Sequence, residues 1–464
     1  MVSSKNARRS VGIGVGLGLL GMVLGGAVTE AFAQGGWTDD GTVVRLTTKT
    51  DGVGIGTATP IDKLHVIGNV RASGNVVTEI IAAPGATILH LRVGGRDAFR
   101  LDPTYAAANI IGGYEGNAVD PAVVGGTIAG GGHPISGGEG PFPNIVTDNF
   151  GAIGGGLFNQ AGDAAGTVDD ARAATVGGGE SNLASGKYST IGGGLRNAAT
   201  GLDSTVGGGG GNHADGPGST VAGGGNNHAT GGTSAIGGGE SNSADGTYST
   251  IAGGIFNVAA GTASFAAGTR AKANHQGAFV WADWSAPDFA SGAANQFRVR
   301  STGGAQFVSA VDLVSGNFTA GVTLPAGGNS WGSISDRALK ENITRVDGHE
   351  ILRRLSAIDI TRWNLKAQDP SIKHLGPMAQ DFYAAFGLGE DERYINSADA
   401  DGVALVSIQA LYQMMTALEL KTVALDQKTA ALEQKNAELA RIADGVEDLR
   451  ARLARFERAA ATPR

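Results

Sequence analysis

VGGGESNLASGKYST (176–190), IGGGLRNAATGLDST (191–205), VGGGGGNHADGPGST (206–220), VAGGGNNHATGGTSA (221–235), IGGGESNSADGTYST (236–250) and IAGGIFNVAAGTASF (251–265) follow one another without a gap. The copies start at Val176, Ile191, Val206, Val221, Ile236 and Ile251, a period of fifteen residues. Position seven is Asn in each of them: Asn182, Asn197, Asn212, Asn227, Asn242 and Asn257. Position eleven is Gly: Gly186, Gly201, Gly216, Gly231, Gly246 and Gly261. Fainter copies precede them at Ile153 and at Ile110-Ile111. A fixed period of this length marks a stacked array in which each repeat buries its face against the next.

The residue types set the geometry of one coil. A β-branched residue at position one enters a narrow core, and Gly at positions two to four permits close backbone approach or tight turning. Asn at position seven suits either an αL turn or a side-chain ladder between coils, and Gly at position eleven makes the second turn. Fifteen residues then give two short strands and two turns. A coil of this kind buries about one Val or Ile and some Ala, far less than its ordering costs. Side-by-side packing of several chains is therefore expected, and close approach around a threefold axis is one reason for so much Gly. The array resembles the β-roll heads of trimeric autotransporter adhesins and related fibre repeats, over roughly residues 150 to 275.

Composition agrees with an exported fibre. The chain of 464 residues has 78 Gly, no Cys and 6% aromatic residues, with a formal charge of −8. Net negative charge argues against nucleic acid or an anionic membrane as the main partner. Lys5, Arg8 and Arg9 precede an apolar stretch from Val11 to Val28, and Ala31-Phe32-Ala33 offers a small-x-small cleavage site. This reads as a signal peptide over residues 1–33. The alternative is a retained anchor, since the uncharged run from Ser10 to Thr29 approaches spanning length. Arg8-Arg9 hints at twin-arginine export, and a chain without Cys cannot carry a lipoprotein anchor. Gly16-Leu17-Gly18-Leu19-Leu20-Gly21 matches a dinucleotide fingerprint, but it lies inside the apolar core of the signal and lacks a βαβ context.

Between the signal and the array, Val43-Val44-Arg45-Leu46 and Leu64-His65-Val66 read as short strands bounded by Gly, Pro and Asp. Val53-Gly54-Ile55-Gly56-Thr57, with Pro60 and Lys63 to Val66, resembles a strand-turn motif near the base of phage-tail-like fibres. Beyond Phe265 the repeat dissolves, and Phe279-Val280-Trp281-Ala282-Asp283-Trp284 is expected to cap it, followed by a strand from Gln296 to Arg300.

Three features of the array offer chemistry. It lacks the Asp of calcium-binding glycine repeats, so no calcium is expected. Glu180 and Glu240 share position five but stand four coils apart, too far for a glycosidase pair within one chain. His213 and His228 share position eight in adjacent coils; a stacked His pair can hold a metal, but plain surface stacking is the simpler reading. No metal and no cofactor are therefore assigned.

Ser333-Ile334-Ser335-Asp336-Arg337-Ala338-Leu339-Lys340-Glu341-Asn342-Ile343 opens the last part of the chain, and His374-Leu375-Gly376-Pro377-Met378-Ala379-Gln380-Asp381-Phe382 follows it. Read by themselves, Ser335 or Asp336 caps a helix starting near Arg337 and Lys340 is solvated. Together the two motifs resemble the intramolecular chaperone auto-processing domain that closes phage tail-spikes such as endosialidase and also occurs in a membrane-bound transcription factor of animals. The resemblance spans about Ser333 to Leu439 and implies a helix beginning near Val403. It implies that the chain trimerises and then cuts its own backbone beside Ser335, at Ser335 and Asp336. Ser335 would be the nucleophile and Lys340 the base. Such a pair works only if a neighbour takes the hydroxyl proton, which for Lys demands a lowered pKa.

Leu411, Leu418, Leu425, Leu432 and Leu439 recur every seven residues, with Ile408, Met415, Thr422, Thr429 and Asn436 at the alternate position. This is a coiled-coil frame. The spacing slips to Ile442, Val446, Leu449, Leu453 and Phe456, and Gly445 lies in the slip, so a kink or a separate last helix is expected there.

The fold expected is mainly β: a trimeric stacked β-roll or β-helix of fifteen-residue repeats, then a small α+β chaperone domain and a C-terminal α-helical coiled coil. The boundaries read as 1–33 signal, 34–110 β-strand region, 111–275 array, 276–332 cap and connecting strands, 333–405 chaperone and 406–460 coiled coil. The function expected is a secreted or cell-surface homotrimeric fibre, adhesin- or appendage-like, whose only enzymatic act is self-cleavage. Its partners are its own copies and a host-surface or extracellular glycan ligand, with no nucleic acid and no membrane after signal removal. The alternatives are a tail-spike-like protein that binds or degrades polysaccharide, and a structural trimer without cleavage.

Overall fold

The computed structural model describes residues 88–461 except 105 and 135–139, together with 37–39, 44–46, 53–55, 59 and 64–66. The signal segment, 1–33, lies outside the described residues. Two units emerge, Met1–Pro84 and Gly85–Arg464. In the first, Trp37–Asp39 pairs antiparallel with Val44–Leu46, and Val53–Ile55 pairs parallel with Leu64–Val66. The unit boundary falls inside the stretch expected to be one β region, 34–110. The hairpin of Leu89–Val93 and Arg96–Asp102 belongs to the second unit, where it pairs antiparallel with Asn109–Gly112 and covers the edge of the array's first coil.

The array is a parallel stack with one coil per repeat. Residues at positions fifteen and one form the first ladder, as Thr175–Val176 on Thr190–Ile191 on Thr205–Val206. Positions eight and nine form the second, as Leu183–Ala184 on Ala198–Ala199 on His213–Ala214. A third line of single bridges, absent from the two-strand expectation, joins position five: Glu180, Leu195, Gly210, Gly225, Glu240 and Ile255. Among the described residues the ladders grow to sheets of 14 and 11 strands. They do not stop where the repeat dissolves. Phe265–Thr269 pairs parallel with Phe279–Ala282, and that strand with Phe297–Arg300. Phe265, Phe279 and Phe297 stack on one another at 4.7 and 4.8 Å. Sequence periodicity is lost because these coils differ in length, while the ladder needs only register. At the far end Asp283 accepts from the hydroxyl and N–H of Thr302 and from Arg300, which hold its carboxyl well below the usual range.

Inside each coil five positions are buried: Val or Ile at one, Asn at seven, Ala at nine, Gly at eleven and Ser at fourteen. The asparagines form a ladder and are not themselves in αL. Asn197 N–H donates to Asn182 Oδ1 at 3.0 Å, while Asn182 Nδ2 donates to Gly178 O in its own coil and Gly194 O in the next, both at 2.9 Å. One short amide thus satisfies the backbone of two turns, which neither Asp (no donor) nor the longer Gln would do. The same ladder runs upstream through Asn159, Asn144 and Asn117. Two insertions, around 132–143 and 163–170, hide that continuity in the sequence.

The left-handed residues stand at positions six and thirteen instead, for example Ser181 (φ 57°), Arg196 (φ 55°), Tyr188 (φ 61°) and Asp203 (φ 55°). There the turn swings the N–H backward: Arg196 N bonds Glu180 O and Asp203 N bonds Lys187 O, both at 2.9 Å in the preceding coil. Position eleven does not need a positive φ. A Cβ there would collide with the carbonyl of the same position in the next coil, as Gly186 with Gly201 O. Position four needs both, with Gly179 at φ +88° and its Cβ direction closed by Gly194 O. The glycines at two, four and eleven are thus explained by the next coil of the same chain, and a threefold axis is not required for them. At position three, as at Gly178, a Cβ would meet only Gly155 O of the preceding coil at 3.9 Å, an ordinary contact.

The chain then forms a three-stranded antiparallel sheet from Gly304–Val311, Phe318–Pro325 and Gly332–Ser333. Three helices follow: α1 (Gly348–Leu355), α2 (Ala379–Phe386) and α3 (Ser397–Ala460). Asp347 and Asn396 cap the first and last through their side chains, and Gly387 ends α2 in αL. Helix α3 starts six residues before the expected Val403 and runs unbroken for 64 residues, so no separate last helix begins at Gly445. A single Gly lowers helix propensity by about 1 kcal/mol, too little to break a helix of this length.

The hydroxyls of Ser189, Ser204, Ser219, Ser234, Ser249 and Ser264 are buried without a hydrogen-bond partner, whereas Ala174 fills the same position upstream. Ser219→Ala is expected to stabilise the protein by up to about 1 kcal/mol, and Asn212→Ala to destabilise it by about 3–5 kcal/mol. Denaturant midpoints of the two variants against the parent check both signs; an unaffected Asn212→Ala would contradict the ladder.

Candidate functional site

The strand Gly332–Ser333 delivers the chain to Ser335, with Ile334 N still facing Gly321 O at 3.5 Å. Asp336 then takes an extended conformation and its carboxylate accepts from Ala338 N at 2.9 Å. This cap starts one short 3₁₀ turn, Arg337–Leu339, which closes through Leu339 N on Asp336 O and Lys340 N on Arg337 O, both at 3.2 Å. Lys340 leaves the turn extended, and its side chain doubles back so that Nζ donates to Ser335 Oγ at 2.6 Å. Capping by Asp336 and the approach of Lys340 to Ser335, weighed as alternatives in the sequence, are one device. The capped turn is what brings a lysine five residues away onto the serine.

Both side chains are exposed in a single chain. A lysine becomes a base only where its surroundings expel water and strip its proton. The pair is thus aligned but open to solvent on its own. Its neighbours are as open: Leu339, Ile343 and Val346 are exposed apolar side chains in the same segment.

The second motif builds a small β-hairpin and helix later in the same segment. His374–Gly376 pairs antiparallel with Thr361–Trp363, and His374 stacks on Trp363 at 4.7 Å while its Nε2 meets Gln368 Oε1 at 2.7 Å. Ala379-Gln380-Asp381 opens α2, whose Phe382 is buried against Phe386. Glu350 on α1 is held down to about 2 by Arg353 and Arg354, and Arg354 reaches across to Ala385 O on α2 at 3.0 Å. Gly348 lets α1 lie close on α3, where a Cβ would come 3.1 Å from Ala410 Cβ.

Residues 335–387 match the family model of the chaperone of endosialidase. The match opens on Ser335 and closes on Gly387, the αL residue that stops α2. No curated protein matches the chain. The chaperone-like segment therefore holds the serine, the lysine, α1 and α2, and α3 extends beyond it. On α3 only Val403, Ser407 and Ala410 are buried. The seam of Leu411, Leu418, Leu425, Leu432 and Leu439 is exposed along its length, each residue between 52% and 64%.

Elsewhere the array gives two further clusters among the described residues. Asp148, Asp163 and Asp170 surround the second insertion. Burial pushes the Asp148 carboxyl up, and it accepts from Asp163 N, Thr147 Oγ1 and Ala171 N, so it clasps the loop. The other cluster is His213, Asp215 and His228. Glu180 and Glu240 are joined through the bridges at Leu195, Gly210 and Gly225. Four steps of about 4.8 Å place them about 19 Å apart, well outside the range of a glycosidase pair.

Proposed function

We propose that the protein is an exported homotrimeric fibre, adhesin- or appendage-like, whose C-terminal chaperone-like segment aligns three chains and then cuts itself free at Ser335. The observation that carries this reading is the 2.6 Å contact of Lys340 Nζ with Ser335 Oγ at the first residue of the family match. The neutral lysine takes the hydroxyl proton and Oγ attacks the carbonyl carbon of Ile334 through a five-membered ring. Attack on the carbonyl of Ser335 itself would need a strained four-membered ring. The Ile334–Ser335 C–N bond breaks, and Lys340 returns the proton to the departing nitrogen. An ester between the Ile334 acyl group and Ser335 Oγ remains. Water hydrolyses it, leaving an Ile334 carboxylate and restoring the hydroxyl.

Timing follows from exposure. The dyad is solvated in one chain, and two further copies laid along the α3 seam would cover it, expel its water and start the reaction only after assembly. Trimeric rather than dimeric assembly is favoured by the kinship of the segment with the endosialidase chaperone. Export rests on Lys5, Arg8, Arg9 and the small residues Ala31 and Ala33. The mature array is assigned a binding or spacing role at the cell surface, with an extracellular glycan as one candidate ligand. A polysaccharide-degrading role finds no support in the spacing of Glu180 and Glu240.

Purified wild-type protein is expected to give two fragments by mass spectrometry, the smaller beginning at Ser335, while Ser335→Ala, Lys340→Ala and Lys340→Arg remain whole. An intact wild-type chain, or a cleaved Lys340→Ala, rules the dyad out. Leu418→Asp combined with Leu425→Asp is expected to leave single chains by light scattering, and to leave them uncut. Efficient cutting of that double variant as a monomer would separate cleavage from assembly.

A further inference from the structure

The second ladder places His213 directly beside His228, as register partners in adjacent coils. Their rings lie 4.6 Å apart and within 6° of parallel. Asp215, two residues after His213, projects from the same face by strand alternation. Its Oδ2 stands 3.8 Å from His213 Nδ1, too far for a hydrogen bond. Its Oδ1 is already held by the Thr200 hydroxyl at 2.7 Å, a bond that leaves Oδ2 turned toward the imidazoles. One ligand-type atom from each of the three side chains lies within 4.8 Å of the others.

We infer that His213, His228 and Asp215 form a surface site for a borderline transition-metal ion of the Zn²⁺ class, with Thr200 as the residue that orients the carboxylate. Two imidazoles and one carboxylate are a familiar donor set for such an ion, which sits at about 2.0–2.2 Å from each and leaves a fourth position for water. The stacked rings point their lone pairs parallel, so binding requires a turn about the soft terminal torsion of the imidazoles. Both rings have room for it on an accessible face. The Thr200–Asp215 bond recurs at Thr230–Asp245, so what sets Asp215 apart is the pair of imidazoles beside it.

The location gives the ion a use. The third and fourth coils carry the densest glycine of the array, from Gly207 to Gly211 and from Gly223 to Gly225. Position five there is Gly210 and Gly225, where neighbouring coils have Glu180, Leu195, Glu240 and Ile255. The backbone bridges continue through these two coils, but glycine offers no side chain along that edge. A metal joining His213 to His228 ties them on the other ladder, as a staple added to the backbone and asparagine bonds.

Untagged full-length protein, stripped with chelator, is to be titrated with Co²⁺ by visible absorption and with Zn²⁺ by calorimetry. One ion per chain is expected, with a rise in melting temperature at saturation. His213→Ala or His228→Ala should weaken binding about a hundredfold, and Asp215→Asn or Thr200→Val by about tenfold. The variants should melt like the parent in the absence of metal, because all four side chains lie outside the core. No uptake by the parent overturns the site, as does unchanged affinity and stoichiometry in the His213→Ala/His228→Ala double variant.

Discussion

The structure depends on a parallel register repeated coil upon coil, so that every position lies on its own copy. At that spacing of about 4.8 Å a residue's nearest neighbour is the same residue of the next repeat. The rules of the array follow. Asn meets Asn and closes two turns, Gly at eleven meets a carbonyl that leaves no space for a Cβ, and Val or Ile fills a core one side chain wide. Polar satisfaction, more than apolar burial, fixes the fold, because the coil is too thin to contain more than one large side chain.

The two ends of the second unit differ in how complete they are within one chain. The array closes on itself: its core side chains are fully buried, its backbone donors point forward at most positions and backward at six and thirteen, and its first edge is covered by a hairpin. The tail does not. Leucines of α3 and the apolar residues around Lys340 lie open, and the serine-lysine pair shares that exposure. The expectation that several chains pack together thus gains a second surface in the tail, while the array keeps exposed apolar side chains of its own, among them Leu195, Leu202 and Phe256.

Much of the site was legible because it is local. Ser335, Asp336 and Lys340 fall within six residues, and one capped turn is enough to join the ends of that segment. The serines at position fourteen recur in every quoted copy, yet a small polar residue near a turn gives no sign of being buried. The αL positions were illegible for a different reason. Ser181, Arg196, Asn226 and Phe256 share no side-chain chemistry, since the backward N–H bond at position six is a demand on the backbone alone.

The fifteen-residue period and the buried β-branched position were determined by the sequence, because a strict repeat transmits local chemistry directly into the stack, whereas the choice of an asparagine ladder over an αL turn was the structure's. Only the tertiary structure decided that the ladder continues through the irregular coils to Arg300 and upstream past two insertions to Asn117. Strand pairing reads register and tolerates loops of any length, whereas periodicity in a sequence is erased by the first insertion. The same holds for Thr200, Asp215 and the two histidines: separated along the chain, they meet because consecutive coils lie one strand spacing apart.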